Sequence, residues 1–401
     1  MTIPDNQRIE IAQALIAAKS FSNAYQVLAR HKTNSTRPRL YMEIEWLSGF
    51  IALIYLNDNN VAVTHFSNMA NSVIKHEDKS KAAFWLGLAF QAQGNLSMML
   101  FWLAIASQFS ATFYGQLAQV LLQRVFTKYP ERINHQTPFG NANITCLKNS
   151  LSTWIASFMR QDDHIIANSQ YNYLNNAPFT SLSIISQYFY DIDNLLSICI
   201  YQKFLQNYTS PLLKNYPLFS AQIPYEHLHT LFSKMTKVLN EYNFMMVLAH
   251  AIALHESSFN SRATSHAGAK GIMQLMPKTA SSEVNKLVDN KLLKKSDKIN
   301  IYAGIDNLIL GVSHIKTLIE EFGFNIVLIA AAYNAGKNNV YKWIDKFGDP
   351  RTNAIPMMHW IELIPFSETR HYVQRVIEAF VVYTHILDIE YLQNVVWSLF
   401  R

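Results

Sequence analysis

In the stretch HESSFNSRATSHAGAKGIMQLMPKTA, residues 255–280, the only carboxylate is Glu256. It closes the run Phe244, Met245, Met246, Val247, Leu248, Ala249, Ile252, Ala253 and Leu254, which is apolar on more than one helical face. That spacing predicts a buried helix with the acid at its carboxyl end. Two effects oppose ionisation there: helix-terminal carbonyls carry partial negative charge, and burial among apolar groups disfavours the charged form. A carboxylic acid kept protonated near neutrality can give its proton to a leaving oxygen. The competing reading is a Glu that simply reaches solvent from a frayed helix end.

The residues that follow favour the first reading. In GAKGIMQLMP, Gly268 and Gly271 mark places where the backbone turns tightly or approaches something closely. Met273, Gln274 and Met276 then lie along an extended or irregular segment. Gln274 offers a donor and an acceptor and the methionines a polarisable apolar floor, a pairing suited to sugar rings bearing acetamido groups. An ordinary packed hairpin would use the same residues. His255, His266 and His314 have no metal-ligand spacing, so neither a metal site nor a proton relay is expected from them.

These residues need a scaffold, and the composition indicates one. The 401-residue chain is half hydrophobic, with 13% aromatic and 15% charged residues, which excludes a disordered chain and predicts two or three packed units. The net charge of +6 is scattered. Short basic clusters such as KLLKKSDK read as solvated helix faces, not a nucleic-acid patch, although the mild positive field favours an anionic polymer. The longest strongly apolar segments, SGFIALIYL and MMLFWLAIA, are too short to span a bilayer, and the amino terminus lacks the layout of an export signal. Cys146 and Cys199 allow at most one intrachain disulfide.

Helical periodicity without strand-like alternation predicts an all-α protein. LIAAKSFSNAYQVLA, FIALIYLNDNNVAVTHFSNMA and WLGLAFQAQGNLSMMLFWLAIA form a weak repeat: helix, polar turn, helix, at the mid-thirties spacing of helical hairpins. Phe21, Tyr25, Trp46, Phe50, Phe66, Trp85, Phe90, Phe101 and Trp102 are then interhelical packing and not a ligand box. KYPERINHQTPFGNANIT and NYTSPLLKNYPLFSAQIP punctuate the chain. The expected units are an α-superhelical region over 1–127, a helical linker region over 128–216 and a compact unit over 217–401. Within the last, Gly323, Gly336 and Gly348 are expected to close helices.

The runs around Glu256, then NIYAGIDNLILGVSHIKTLIEEFGFNIVLIAAAYNAG and WIELIPFSETRHYVQRVIEAFVVY, resemble the soluble lytic transglycosylases of bacterial cell-wall turnover. EWLSGFIAL, ATFYGQLA and NYPL extend the likeness into the earlier helices. The resemblance implies a goose-type-lysozyme-like catalytic domain packed with an α-superhelix, and peptidoglycan glycan strands as partner. It places Glu256 at the family's single catalytic acid/base and Ser265, Gln274 and Met276 on sugar subsites. Tyr333 and Asn334 would orient acid and substrate, and Glu362 or Glu368, with Tyr372, would complete the groove. It further implies cleavage of the β-1,4 bond between N-acetylmuramic acid and N-acetylglucosamine without water, leaving a 1,6-anhydro end, with no metal or diffusible cofactor. Most glycosidases use two carboxylates; here one would act as acid and then as base, with the sugar's own acetamido group assisting.

The chain departs from the family pattern at His266, where the family has Pro, at Lys337 and Asn338, where it has Pro-Gly, and around His314, near which it has an aromatic residue. Family members are exported to the periplasm and carry a longer superhelix, so the resemblance implies either a fragment or a start codon set downstream. The rivals are a hydrolytic lysozyme on the same fold and a non-catalytic murein-binding scaffold.

Overall fold

The computed structural model describes residues 3–33, 38–73, 75–109 and 111–128, and residues 233–400 except 234, 237, 297, 298, 303, 388, 390 and 399. The chain divides into two compact units, Met1–Phe204 and Leu205–Arg401. All described elements are helical, apart from two isolated bridges, Thr264 with Lys270 and Lys270 with Leu275. Both cysteines, the second punctuation and the boundary expected near residue 216 lie outside the described residues.

Unit 1 contains helices α1 (Asp5–Ala17), α2 (Phe21–Ala29), α3 (Pro38–Ile54), α4 (Asn59–Ser72), α5 (His76–Ala92), α6 (Leu96–Ser107) and α7 (Phe113–Lys128). The first six form three hairpins. Each hairpin turns through one left-handed residue, Lys19, Asn57 or Gly94, spaced 38 and 37 residues apart. Asp58 and Asn95 cap the second helix of their hairpins by accepting from the amides of Val61 and Met98, both at 3.1 Å. Small residues let the paired helices close: a Cβ on Gly49 would stand 2.7 Å from the Phe66 ring, and one on Gly87 would stand 2.9 Å from Leu103. Trp85, fully buried, meets the rings of Trp46, Phe50 and Phe66 at 5.4 to 6.3 Å between centroids, so these aromatics are core.

Unit 2 contains α8 (Leu239–Ser257), α9 (Pro277–Asp289), α10 (Gly304–Phe322), α11 (Ile326–Ala335), α12 (Lys337–Phe347), α13 (Met357–Leu363), α14 (Ser367–Ile386) and α15 (Tyr391–Ser398). Helix α8 packs against α10 and α14 and buries Phe244, Met245 and every residue from Val247 to Ala253. It stops because Ser258 and Phe259 turn left-handed, with φ of 50° and 65°. Phe259 is then carried into the core, 2% exposed, which offsets the backbone strain. Gly323, Gly336 and Gly348 end α10, α11 and α12 with φ of 67°, 83° and 100°, as their positions in the sequence predict. Among the described residues, no helix is long and apolar enough to cross a membrane.

Candidate active site

The loop between α8 and α9 is held by one side chain. Asn307, on α10 and fully buried, donates from Nδ2 to the carbonyls of Lys270 and Ile301, both at 2.9 Å, and accepts at Oδ1 from the Met273 amide at 2.7 Å. Every hydrogen-bonding capacity the amide commonly uses is thus spent on backbone that belongs to no helix or strand. Gly271 sits at φ 76°, where a Cβ would lie 2.4 Å from the Asn307 amide group, so close approach and left-handed geometry both demand glycine. Gly268 has φ 88° but open space around it. Gly271→Ala is therefore expected to cost about 3 kcal/mol and Gly268→Ala about 1 kcal/mol, measured by denaturant unfolding; equal losses would mean that Asn307 does not hold the loop.

Ser265 and Gln274 serve the same loop. The Ser265 Oγ accepts from the Ala269 amide at 3.0 Å, and Gln274 donates from Nε2 to the carbonyls of Ala263 and Gly271 at 3.1 and 2.8 Å. The amide nitrogen of Gln274 is thus committed, and Oε1 is the atom left to accept from a ligand. Met273 does not form part of an apolar floor: it is fully buried against Gly311 of α10, where a Cβ would meet it at 2.5 Å. Met276, 43% exposed, is the methionine that faces outward.

Glu256, in the last turn of α8, is half-buried. Its Oε1 accepts a hydrogen bond of 2.7 Å from the Tyr372 hydroxyl of α14. Burial, reinforced by the negative charge of Glu368, pushes its carboxyl up to about 7, against the smaller opposing effect of the Tyr372 hydrogen bond. Burial likewise holds the phenols of Tyr372 and Tyr333 well above their usual range, with Glu256 adding to both, so each donates a proton and neither competes to lose one. Tyr333 donates to the Met273 carbonyl at 2.8 Å, joining α11 to the loop, and the Asn334 Oδ1 accepts from Thr369 at 2.6 Å, joining α11 to α14. The pattern supports an acid that releases its proton near neutrality, beside two phenols fixed in the donor state.

Glu362 and Glu368 separate. Glu362 of α13 is 4% exposed, and its Oε1 accepts from Gln374 at 3.3 Å. Glu362 is thus the enclosed member of the pair. Glu368, exposed at the start of α14, is the acid whose charge reaches Glu256. His255 is held neutral down to about pH 4 by burial, and His266 is exposed on the loop. His314 pairs with Glu283.

Tyr372→Phe removes the one hydrogen bond to Glu256, among the described residues, that favours its ionised form. The expected result is an alkaline limb of the activity profile moved to higher pH, with turnover lowered about tenfold, read from pH–rate profiles. An unmoved limb would show that this bond does not reach the reacting group.

Residues 234–356 match the family model described as Transglycosylase SLT domain. The match covers less than a third of the chain, within its carboxy-terminal unit. The chain is similar to the Soluble lytic murein transglycosylase of Salmonella typhimurium, 32% identical over 171 residues, which are 41% of this chain and 24% of that protein. It is also similar to the Soluble lytic murein transglycosylase of Escherichia coli K12, 36% identical over 135 residues, covering 32% of this chain and 19% of that protein. The matched part thus spans about a quarter or less of these curated relatives. The solved structure of an inactive mutant of the lytic transglycosylase Slt from Pseudomonas aeruginosa shares the fold, with a TM-score of 0.54 at 20% identity over 96% of this chain and 58% of that one. The 70-kDa soluble lytic transglycosylase in complex with bulgecin A gives 0.50 at 19% identity, over 96% and 66% of the two chains. The SLT match ends at Pro356, before Glu362, Glu368 and Tyr372, so it is the packing of α14 on α8 that brings Tyr372 to Glu256.

Asn307, Thr369 and Glu283 hold the elements around these residues and were not singled out by the sequence. Each is a polar residue on an amphipathic helix. A fully buried Asn is distinguished from an exposed one only by which face of α10 turns inward, and Asn307 falls on the face of Leu308, Gly311 and Ile315. That register was the one available signal.

Proposed function

We propose that the carboxy-terminal unit cleaves the β-1,4 bond between N-acetylmuramic acid and N-acetylglucosamine in peptidoglycan glycan strands without adding water. The observation that carries the reading is Glu256 itself: a carboxyl pushed up to about 7, hydrogen-bonded to Tyr372, with no carboxylate sharing its proton among the described residues. The SLT domain match and the names of the similar transglycosylases supply the substrate class.

Glu256 protonates the oxygen leaving C1 of the muramyl residue, and the C1–O bond breaks to release the 4-hydroxyl of N-acetylglucosamine. The acetamido group of the muramyl residue stabilises the cationic centre. Glu256, now a carboxylate with Tyr372 donating to it, takes the proton of the C6 hydroxyl, and O6 bonds to C1. The proton is returned to the enzyme, no water is consumed and a 1,6-anhydro end results. A carboxyl poised near 7 suits both halves, since each requires the opposite protonation state. Ser265, Gln274 and Met276 lie on the loop flank of the sugar site, Tyr333 and Asn334 on its α11 flank, and Glu368 and Tyr372 on its α14 flank. No cofactor takes part. On this reading the protein acts in the periplasm, where murein lies.

The test is digestion of purified murein by the full chain, with product masses. Products lighter by one water than those of a hydrolytic lysozyme support the reading; fully hydrated products establish hydrolysis, and binding without product establishes a scaffold.

A further inference from the structure

A second carboxylate lies under the site. Glu283 of α9 is 1% exposed and accepts from Ser313 at 2.8 Å, Lys286 at 2.9 Å and His314 at 3.3 Å. Burial pushes its carboxyl up, but the hydrogen bonds from His314, Lys286 and Ser313 together outweigh burial and hold it below the usual carboxylate range. An ionised carboxylate only accepts, so the His314 Nδ1 carries the hydrogen of their bond. The bond fixes the ring plane of His314. That ring lies against Tyr333, centroids 5.3 Å apart at 54°.

We infer that Glu283 and His314 form a positioning pair that orients Tyr333 beside Glu256. Tyr333 is otherwise tethered at its tip, by the hydrogen bond to the Met273 carbonyl, and that bond alone leaves the ring free to pivot about it. It stands where the charges of both Glu256 and Glu283 reach it. A buried carboxylate with partners is poor as a stability device, because an apolar replacement usually packs as well. Its use here is to fix one ring orientation, which an aromatic hydrocarbon at position 314 cannot do. The inference deepens the transglycosylase reading and rests on it for its kinetic consequence.

The experiment uses the full chain labelled with fluorotyrosine, the Tyr333 line being assigned through Tyr333→Phe, together with murein kinetics. His314→Phe keeps a ring and loses the bond to Glu283; Glu283→Gln keeps shape and loses charge. Each is expected to broaden or split the Tyr333 fluorine line and to lower kcat about tenfold, with KM within twofold and the unfolding midpoint little changed. A His314→Phe variant with the native Tyr333 line, native kcat, or a kcat loss that follows unfolded protein overturns the inference. If the unmutated chain yields no product, the transglycosylase reading fails, and the Tyr333 line alone decides whether the pair orients the ring.

Discussion

Glu256→Gln is expected to lower murein turnover by about 10³-fold while the chain still folds, because the amide neither gives nor takes a proton at the required strength. The replacement keeps the shape of the side chain and leaves Tyr372 an oxygen to donate to, so binding of the glycan strand should survive. The measurement is initial rate and product mass on purified murein beside a binding assay on the same variant. Retention of more than about a tenth of the native rate would mean that another group transfers the proton. The nearest competitor is Glu368, the acid whose charge reaches Glu256 and which is exposed. Glu368→Gln should lower the Glu256 carboxyl towards its ordinary value by removing that charge, and not abolish the chemistry.

The same substitution should make the protein more stable at alkaline pH. A carboxyl that releases its proton near 7 in the folded chain, and near 4.5 when unfolded, binds more protons in the folded state between those values. Its stabilising contribution is therefore complete below about pH 4.5 and is lost as pH rises through 7. Above pH 8 the ionised, half-buried Glu256 costs about 2 to 3 kcal/mol. Glu256→Gln should remove that cost, so the variant and the native chain are alike near pH 4 and differ by this amount at pH 8. His250 and His255, held neutral down to about pH 4 by burial, give the opposite slope, since the unfolded chain takes up protons that they refuse. The difference between the two proteins cancels them. Denaturant titrations at pH 4, 6 and 8 measure it, and a pH-independent difference would show that Glu256 is not desolvated.

Three substitutions at one helix-end acid and its neighbours thus separate chemistry from architecture. Activity reports the proton, stability reports burial, and the Tyr372→Phe profile reports the hydrogen bond between α8 and α14.

The sequence by itself determined the helical class, the hairpin repeats of unit 1 and the solitary acid at the end of a buried helix. It also identified the glycines that end α10, α11 and α12. These are local properties: period, composition and left-handed backbone are written into a few consecutive residues. Glu256 was legible because an apolar run and a charged terminus lie next to each other in the chain. What only the tertiary structure decided is which residues meet across it. Tyr372 stands 116 residues from Glu256 and reaches it because α14 packs on α8. Met273 turned inward and Met276 outward because Gly311 leaves room for the first, a fact about α10. Glu362 and Glu368 read alike in WIELIPFSETR, yet the five residues between them carry one into the core and the other to solvent. Asn307 and Glu283 became visible only as buried polar groups with partners, because each is bound in part by groups about thirty residues or more away in sequence. Burial and long-range pairing depend on how helices pack, and no window of neighbouring residues contains that information.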